Sequence, residues 1–321
     1  MPTIADVAAM AGVSRAAASR ALSSDKRPVS AEKRAKVEAA ARQLGYRPNA
    51  VARGLSRRSL DLVVVLVNHI HDLSDLDLFD RLLDTIQGLG KQMLLVRMDS
   101  PDHASALIRQ GIAHHVDAAL VFSDFADAEA VRSLFHTDRV IMLNGRHDAV
   151  SPALIADEKP GISQAVADAA NKGVKSAALV TGRATSPNEQ SRIGYYVEAL
   201  KAHGIELERV VQGDYSYASG RAAATMIGGD AWPDAVFCTA DAMAMGILDM
   251  RRADFPESRP ARFRLYGFDN LSLVNLAAYP IATVGFDKNE YVTCLGQLIA
   301  QENAGQHLLT LPTHFIPGAT A

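Results

Sequence analysis

The six residues Leu62 to Val67 constrain the fold most strongly. Their sequence, LVVVLV, is apolar at every position and lacks the alternation of a strand with one face in water. Such a strand is typical of a parallel sheet that is covered on both faces. After it, short apolar runs such as QMLLVRM and AALVF alternate with stretches of helical periodicity. From Asp61 onward we therefore predict an α/β architecture with parallel sheets and crossover helices.

The first sixty residues differ in charge from the rest of the chain. They contain twelve Lys and Arg against four Asp and Glu, a net charge of +8, whereas the remaining residues carry −11 and the whole chain −3. A basic segment attracts polyanions such as nucleic acid, but a solvated basic surface gives the same count. Charge alone leaves both interpretations open.

Three short amphipathic helices are predicted in this basic segment. Thr3 and Asp6 form the pattern of a capping box at the start of the first helix. Ser14 is placed to cap a second helix, and Ser30 a third, which ends at Gly45. The first two helices form a helix-turn-helix pattern, although a three-helix bundle of any function has similar spacing.

The sequence of this segment is more specific than its helical pattern. The run TIADVAAMAGVSRAAASRAL, followed by VSAEKRAKVEAAARQLGYRPNAVARGL, resembles the DNA-binding headpiece and hinge of the lac repressor/gal repressor (LacI/GalR) family of transcription regulators. The match is continuous over about residues 2 to 58. It implies an all-α helix-turn-helix headpiece at residues 1–46, and a hinge helix and linker at 47–60.

The resemblance implies that the second helix enters the major groove of DNA, with Arg15, Ala16 and Arg20 against base edges. An arginine can donate two hydrogen bonds to guanine, whereas Ala16 can only pack against a thymine methyl group. The alternative for both arginines is a phosphate contact, which positions the protein without reading sequence. Contacts to the DNA backbone are assigned to Thr3, Ser14, Ser19 and Asn49.

The hinge from Arg47 to Leu55 has a length of only about two helical turns, too short to be stable alone in water. We expect it to fold on binding DNA. In the family, the leucine that matches Leu55 inserts with its dimer mate into the minor groove. Ala52 and Arg53 lie in the same segment and complete the predicted DNA-binding set. A plain interdomain linker is the alternative.

Residues 61–321 resemble the regulatory core of the same family, which is similar to periplasmic sugar-binding proteins. The matching segments are HVDAALVFS, SRIGYYVEALKAHGI, AVFCTADAMAMGILDMRR, RLYGFDNLSL and YPIATVGFDKNEYVTCLGQLIAQ. The resemblance implies an effector-binding and dimerisation core of two α/β subdomains, one at about 61–156 and 286–310, the other at about 157–285. Taken alone, this region is also consistent with a periplasmic solute-binding protein.

Loops that follow the apolar runs are expected to line a ligand cleft, because ligands of open α/β sheets bind beyond the carboxyl ends of the strands. Arg192 and Asp269 match family positions that hold the effector, with a structural salt bridge as the alternative for both. The other candidate effector-binding residues are Asn68, His69, Ser123, Asn144, Tyr215 and Ala240. Many family members have a polar Asn at Ala240, and the loop Asn68 to Asp77 and the final LPTHFIPGATA also depart from the family pattern. Together these departures argue against a standard hexose.

Several classes of protein are disfavoured. The chain has no GxGxxG after a strand, no GxxxxGK[ST], no HExxH and no GxSxG, so we expect neither an enzyme nor a cofactor. Cys238, Cys294 and isolated histidine pairs lack the spacing of a metal site, and we expect no metal. Without a signal-peptide pattern or an apolar run of about 18 residues, we expect a cytoplasmic protein that does not enter a membrane.

Together these features predict a sequence-specific transcription regulator that binds double-stranded operator DNA of near-palindromic sequence as a homodimer. Repression is the usual mode of this family. We expect a small-molecule effector, which is a sugar, a sugar acid or a phosphorylated metabolite, to control the affinity for DNA. An architectural DNA binder with a vestigial cleft is the remaining alternative.

Overall fold

The computed structural model describes residues 2–22, 29–46, 61–68, 73–100, 102–103, 106, 116–146, 148, 150–228, 232–254, 263–300 and 308–321. The chain divides into two units, Met1–Leu60 and Asp61–Ala321. None of the helices in the described ranges is long and apolar enough to cross a membrane. Five residues predicted to bind DNA or effector lie outside the described residues: Asn49, Ala52, Arg53, Leu55 and His69.

The described part of the N-terminal unit consists of three helices, α1 (Ile4–Met10), α2 (Arg15–Ala21) and α3 (Ala31–Leu44). Each helix begins after a residue whose hydroxyl accepts a backbone N–H: Thr3 before α1, Ser14 before α2 and Ser30 before α3. Helix α3 ends at Gly45, whose φ of +63° is in the left-handed region that glycine adopts without strain. The predicted helix-turn-helix headpiece is confirmed.

Small side chains form the core of this headpiece. Ala18 and Ala21 of α2 are buried together with Val7 of α1 and Val37 of α3. Arg34 donates from Nη1 to the carbonyl of Ala21 at 2.8 Å, which satisfies an acceptor at the C-terminal end of α2. The three short helices therefore stabilise one another through contacts that are close in sequence.

Subdomain one is built on a parallel sheet of six strands. In spatial order these are β11 (Leu308–Pro312), β5 (Ala153–Asp157), β4 (Val140–Met142), β3 (Ala118–Val121), β1 (Leu62–Val67) and β2 (Gln92–Arg97). Strand β1 pairs with a neighbour on each side and is buried from Val63 to Val67, as its apolar sequence predicts. Helices pack on both faces of the sheet: α4 (Leu73–Gly88), α5 (Ala128–Phe135) and α10 (Lys288–Ala300).

Subdomain two is built on a parallel sheet of four strands, in the order β7 (Glu206–Gln212), β6 (Ser176–Thr181), β8 (Ala235–Cys238) and β9 (Arg264–Tyr266). Its helices are α6 (Lys159–Asn171), α7 (Pro187–Ala202), α8 (Tyr217–Ile227) and α9 (Asp241–Asp254). Inside it, the ring of Phe237 lies 5.5 Å from that of Tyr196 and 4.7 Å from that of Tyr266, measured between centroids. The predicted α/β core of two subdomains is confirmed.

The described chain passes between the subdomains three times. It leaves subdomain one after β5, returns through β10 (Thr283–Gly285) into α10, and leaves again after β11 through β12 (His314–Ile316), which pairs antiparallel with β10. The last residues then pack on subdomain two. There the Thr320 hydroxyl donates to the carbonyl of Leu265 at 2.7 Å and accepts from the amide of Ala282 at 3.0 Å.

Candidate functional site

The carboxyl ends of strands from both subdomains face one cleft in the core unit. The cleft encloses about 770 Å³ of space between atoms, part of it open to solvent. Subdomain one lines it with residues that follow β1, β3 and β4, and subdomain two with residues that follow β6, β7 and β9. Because ligands of α/β proteins bind at this end of the strands, the cleft is the candidate ligand site.

Five of the eight residues predicted for effector binding line this cleft: Asn68, Asn144, Arg192, Tyr215 and Asp269. Two do not, and the predicted place of their side chains is wrong. Ser123 is completely buried and donates from Oγ to the carbonyl of Met98 at 2.6 Å, while Ala240 is packed into the core of subdomain two. Successive side chains at a strand end point in opposite directions, so Asp124 rather than Ser123 reaches the cleft.

Arg192, on α7, is fixed by hydrogen bonds to its own subdomain. Its Nε and Nη2 donate to the two carboxylate oxygens of Glu158 at 2.8 and 2.6 Å, and its Nη1 donates to the carbonyl of Thr239 at 2.8 Å. Burial acts to lower the pKa of Arg192, but the carboxylate of Glu158 outweighs burial and raises the pKa. The structural salt bridge that the sequence left open is therefore present.

Glu189, which sequence reasoning missed, organises the same wall. It is completely buried. Its Oε1 accepts from the amide of Gly182 at 2.5 Å and from the hydroxyl of Thr239 at 2.6 Å, and its Oε2 accepts from the hydroxyl of Tyr215 at 3.0 Å. The ring of Tyr215 also lies so close to Gly182 that a Cβ there would be 1.8 Å from a ring carbon. Only glycine fits at that position. In one sequence, nothing distinguishes this glutamate from an exposed one.

Asp269 differs from the other charged groups of this wall. Among the described residues, none donates a hydrogen bond to its carboxylate, which faces the cleft. Burial raises the pKa of Asp269 to about 7, against the attraction of the positive charges on Arg192 and Lys288. Near neutral pH this carboxyl group therefore exists in both protonation states, and it can accept a hydrogen bond from a bound molecule.

The loop that carries Asp269 has an unusual backbone. Asp269 has a φ of +110° and Asn270 a φ of +50°, a conformation that costs a residue with a side chain on the order of 1–3 kcal/mol. Asp241, at the start of α9, holds the loop in place. Its Oδ2 accepts from the amide of Leu271 at 2.9 Å, and its Oδ1 accepts from the hydroxyl of Thr283 at 2.7 Å.

The wall in subdomain one relies on amide side chains. Asn68 donates from Nδ2 to Asp124 at 2.8 Å and accepts from the Asp124 amide at 3.1 Å. Burial raises the pKa of Asp124, while this hydrogen bond from Asn68 opposes the rise. Asn144 donates to the carbonyl of Ser123 at 2.7 Å and accepts from the amide of Arg146 at 3.0 Å. Asn144 therefore braces loops, although it lines the cleft.

Apolar surface and a close contact complete the cleft. Phe79 and Phe122 of subdomain one meet edge to face, with centroids 5.6 Å apart. At Gly145 the backbone of subdomain one approaches Asn188 of subdomain two so closely that a Cβ would lie 2.0 Å from Asn188 Oδ1. The two subdomains thus touch beside the cleft, and glycine permits that contact.

One face of α2 in the headpiece is exposed. It carries Arg15, Ala16, Ser19 and Arg20, and the exposed Ser14 caps the start of the helix. Arg20 donates from Nε to the carbonyl of Ala16 at 3.1 Å. The hydroxyl of Thr3, also exposed, is engaged with Asp6 in the capping box at 2.8 Å. An exposed face with two arginines on a short helix is suited to a polyanion.

These two units define a class of proteins in which a helix-turn-helix domain precedes a ligand-binding core of the periplasmic type. Residues 3–49 match the family model of bacterial regulatory proteins of the lacI family, and residues 166–321 match a periplasmic binding protein-like domain. The chain thus joins a lacI-family DNA-binding domain to a periplasmic binding protein-like domain, and it is a DNA-binding transcriptional regulator.

Individual relatives agree with this assignment. The HTH-type transcriptional regulator AscG of Escherichia coli K12 is 28% identical over 318 residues, which cover 95% of this chain and 93% of AscG. The fold is similar to that of the lac repressor dimer bound to operator and the anti-inducer ONPF, with a TM-score of 0.80, 21% identity and coverage of 99% and 98%. It is also similar to the transcriptional regulator CelR in complex with cellobiose, with a TM-score of 0.67, 23% identity and full coverage of both chains.

Proposed function

We propose that this regulator is a cytoplasmic repressor, and that a small neutral molecule rich in hydroxyl groups controls its affinity for a near-palindromic operator. In this proposal a homodimer binds DNA through headpieces at 1–46 and hinges at 47–60, and the core at 61–321 binds effector and forms the dimer. The observation that carries the proposal is Asp269, a cleft carboxylate to which no described residue donates a hydrogen bond.

The charges of the cleft favour a neutral effector over a sugar acid or a phosphorylated metabolite. Arg192 already donates to Glu158 and Thr239 from all three guanidinium nitrogens. Arg183 donates from Nη1 to the carbonyl of Asp214 at 2.8 Å. An anion would meet the carboxylates of Asp269 and Asp124, which repel it, whereas a hydroxyl group can donate to them.

The faces of a sugar ring are suited to the rings of Phe79 and Phe122, because the C–H groups of such a ring are apolar. The cellobiose complex of CelR is an example of a neutral sugar bound by a protein of similar fold. The lac repressor dimer on operator supports the proposed dimer and the proposed DNA target in the same way.

On DNA, we propose that Arg15 and Arg20 donate to guanine bases, and that Ala16 packs against a thymine methyl group. Thr3, Ser14 and Ser19 contact phosphates in this proposal. Their exposure on the headpiece surface supports these roles. In the hinge, Asn49 contacts the DNA backbone, Leu55 inserts into the minor groove, and Ala52 and Arg53 complete the proposed interface.

The proposal is tested by selecting DNA from a random duplex pool with the purified full chain, then by titrating sugars against the selected duplex. We expect a near-palindromic site, and a change in DNA affinity with at least one neutral sugar from a panel of pentoses, hexoses and cellobiose. The phosphate and the uronic acid of the active sugar are expected to be inactive. Asp269→Ala should abolish the response, while Asp99→Ala, outside the cleft, should keep it.

Three outcomes contradict the proposal. An enriched pool without a common site argues against sequence-specific binding. A response to phosphorylated sugars alone argues against the charge argument. A selected site whose binding is insensitive to the whole panel, although salt weakens it, supports an architectural DNA binder with a vestigial cleft.

A further inference from the structure

Lys288, the first residue of α10, is a buried cation that contacts both subdomains. It is 8% exposed. Its ammonium group donates to the carboxylate of Asp77, on α4 of subdomain one, and to the carbonyl of Asn270, in subdomain two, at 3.1 Å. A buried charge is costly unless it is paired and hydrogen-bonded, so a movement that separates these partners is opposed.

The acceptor in subdomain two is directly linked to the candidate ligand site. Asn270 follows Asp269, and both residues have positive φ in the loop described above. A ligand that forms a hydrogen bond with the side chain of Asp269 pulls on this strained backbone. The carbonyl of Asn270 belongs to the same backbone segment and moves with it. The position of that carbonyl in turn sets where the Lys288 ammonium has its best acceptor.

The acceptor in subdomain one leads to the opposite wall of the cleft. Asp77 lies on α4, and Phe79, two residues later, lines the cleft. Burial acts to raise the pKa of Asp77, but the hydrogen bond and charge of Lys288 outweigh it, and the pKa is lowered. The charged groups around the ammonium are Asp77, Asp269 and Asp241, with the adjacent Asp287 and with Arg81 near Asp77. A pocket with about 820 Å³ of space between atoms, part of it open to solvent, flanks the bridge and leaves room for it to rearrange.

We propose that Lys288 is a positioning residue that couples the ligand loop of subdomain two to α4 of subdomain one, and so sets the separation of the subdomains. This inference rests on the proposed function in one respect, namely that subdomain separation affects DNA affinity. The bridge itself requires neither DNA nor effector. It adds to the proposed site a residue that need not touch the bound molecule.

The experiment measures the separation directly in the full chain without added ligand. Nitroxide labels are placed at Glu129→Cys in α5 and Lys201→Cys in α7, which are exposed on different subdomains. Cys294 is replaced by serine, and the completely buried Cys238 is kept. Pulsed electron resonance then gives the distribution of distances. We expect Lys288→Met to shift or broaden this distribution, and the exchange Asp77→Lys with Lys288→Asp to restore it in part.

Two controls separate the bridge from a general effect. Lys159→Met removes a lysine that is 54% exposed from an ion pair with Glu198, and it should leave the distribution unchanged. If Lys288→Met does not fold, Asp77→Asn removes the same ion pair, and we expect it to shift or broaden the distance distribution in the same way. A wild-type distribution in a folded Lys288→Met or Asp77→Asn variant overturns the inference.

Binding to the selected duplex gives a second readout. We expect Lys288→Met to change DNA affinity by about 2- to 30-fold without any change in the headpiece, the range of reported coupling effects. A changed distance with unchanged DNA affinity retains the bridge but refutes the coupling. If the wild type selects no DNA sequence, the proposed function fails, while the distance measurement still decides whether Lys288 sets the separation.

Discussion

The two walls of the cleft are built by different means. In subdomain two, the side chains of Arg192, Glu158 and Glu189 are charges with at most 11% of the side chain exposed, and they hold one another. In subdomain one, neutral amides brace the loops: Asn68 donates to the carboxylate of Asp124, and Asn144 donates to the carbonyl of Ser123. A wall of interlocked charges is preorganised, because each group loses its partner if another moves. The difference indicates that subdomain two fixes the orientation of a ligand, and that subdomain one supplies apolar surface and closure.

The largest effect is expected where the charges are most deeply interlocked. Glu158→Gln leaves the buried guanidinium of Arg192 without its main counter-charge, and we expect a loss of about 3–5 kcal/mol in the free energy of unfolding, measured with urea. The matched control is Glu198→Gln in the exposed pair with Lys159, for which we expect a much smaller loss because water screens both charges. Equal losses in both variants would show that the charges of this wall are held no more firmly than an exposed ion pair of the same subdomain.

A smaller effect, dependent on pH, is expected at Asp269. Its folded pKa of about 7 lies above that of the unfolded chain, so the unfolded carboxyl group ionises first as pH rises. The contribution of Asp269 to stability therefore falls as pH rises from about 4 to 7, by at most about 1.4 kcal/mol for each pH unit. Asp269→Asn should be more stable than the wild type at pH 8, by on the order of 3 kcal/mol, and nearly equal to it at pH 4.

Asp124→Asn extends this measurement to the other wall. Burial also raises the pKa of Asp124, but the hydrogen bond that Asn68 donates to its carboxylate opposes the rise. At pH 8 we therefore expect Asp124→Asn to increase the free energy of unfolding by less than Asp269→Asn does. Urea titrations of both variants and the wild type at the two pH values decide the order. A larger gain in stability for Asp124→Asn would mean that the carboxylate of subdomain one, and not that of subdomain two, is the one whose buried charge is less well stabilised by its neighbours.

The smallest effect is expected where the walls touch. Gly145→Ala places a methyl group at a φ of +79° and against Asn188, whereas Gly173→Ala, at a φ of +83°, meets nothing within 4 Å. Both should lose about 1–2 kcal/mol because of the left-handed backbone. We expect Gly145→Ala to lose about 1 kcal/mol more, and the double variant with Asn188→Ala to recover that excess. Indistinguishable losses at Gly145 and Gly173 would show that the contact with Asn188 has no energetic weight.

What the sequence predicted well depends on contacts between nearby residues. Helices begin after Thr3, Ser14 and Ser30 because each hydroxyl accepts a hydrogen bond from the backbone amide three residues later. That spacing is visible in the sequence. The burial of β1 follows from its composition in the same way. The resemblance to a family then predicted the two subdomains and identified Arg192 and Asp269 as candidate effector-binding residues.

What could not be predicted depends on contacts between distant residues. Glu158 and Arg192 are 34 positions apart, and Glu189 meets Thr239 across 50. No local pattern distinguishes such pairs from exposed charges. The error at Ser123 is a shift of one residue, because a change of one position in a turn decides whether a side chain faces the cleft or the interior. Sequence reasoning therefore located the cleft, but it did not predict which of its polar groups are already engaged.

The route of the chain through the core has a consequence for synthesis. The headpiece can form once α3 has been made, because all described residues of its core lie between Ile4 and Tyr46. Subdomain one needs β11, and Thr320 closes subdomain two, so neither can finish folding until residues 308–320 have left the ribosome. During translation the chain thus carries a folded basic headpiece before it has a ligand cleft, and any control by a small molecule begins only after these residues have been made.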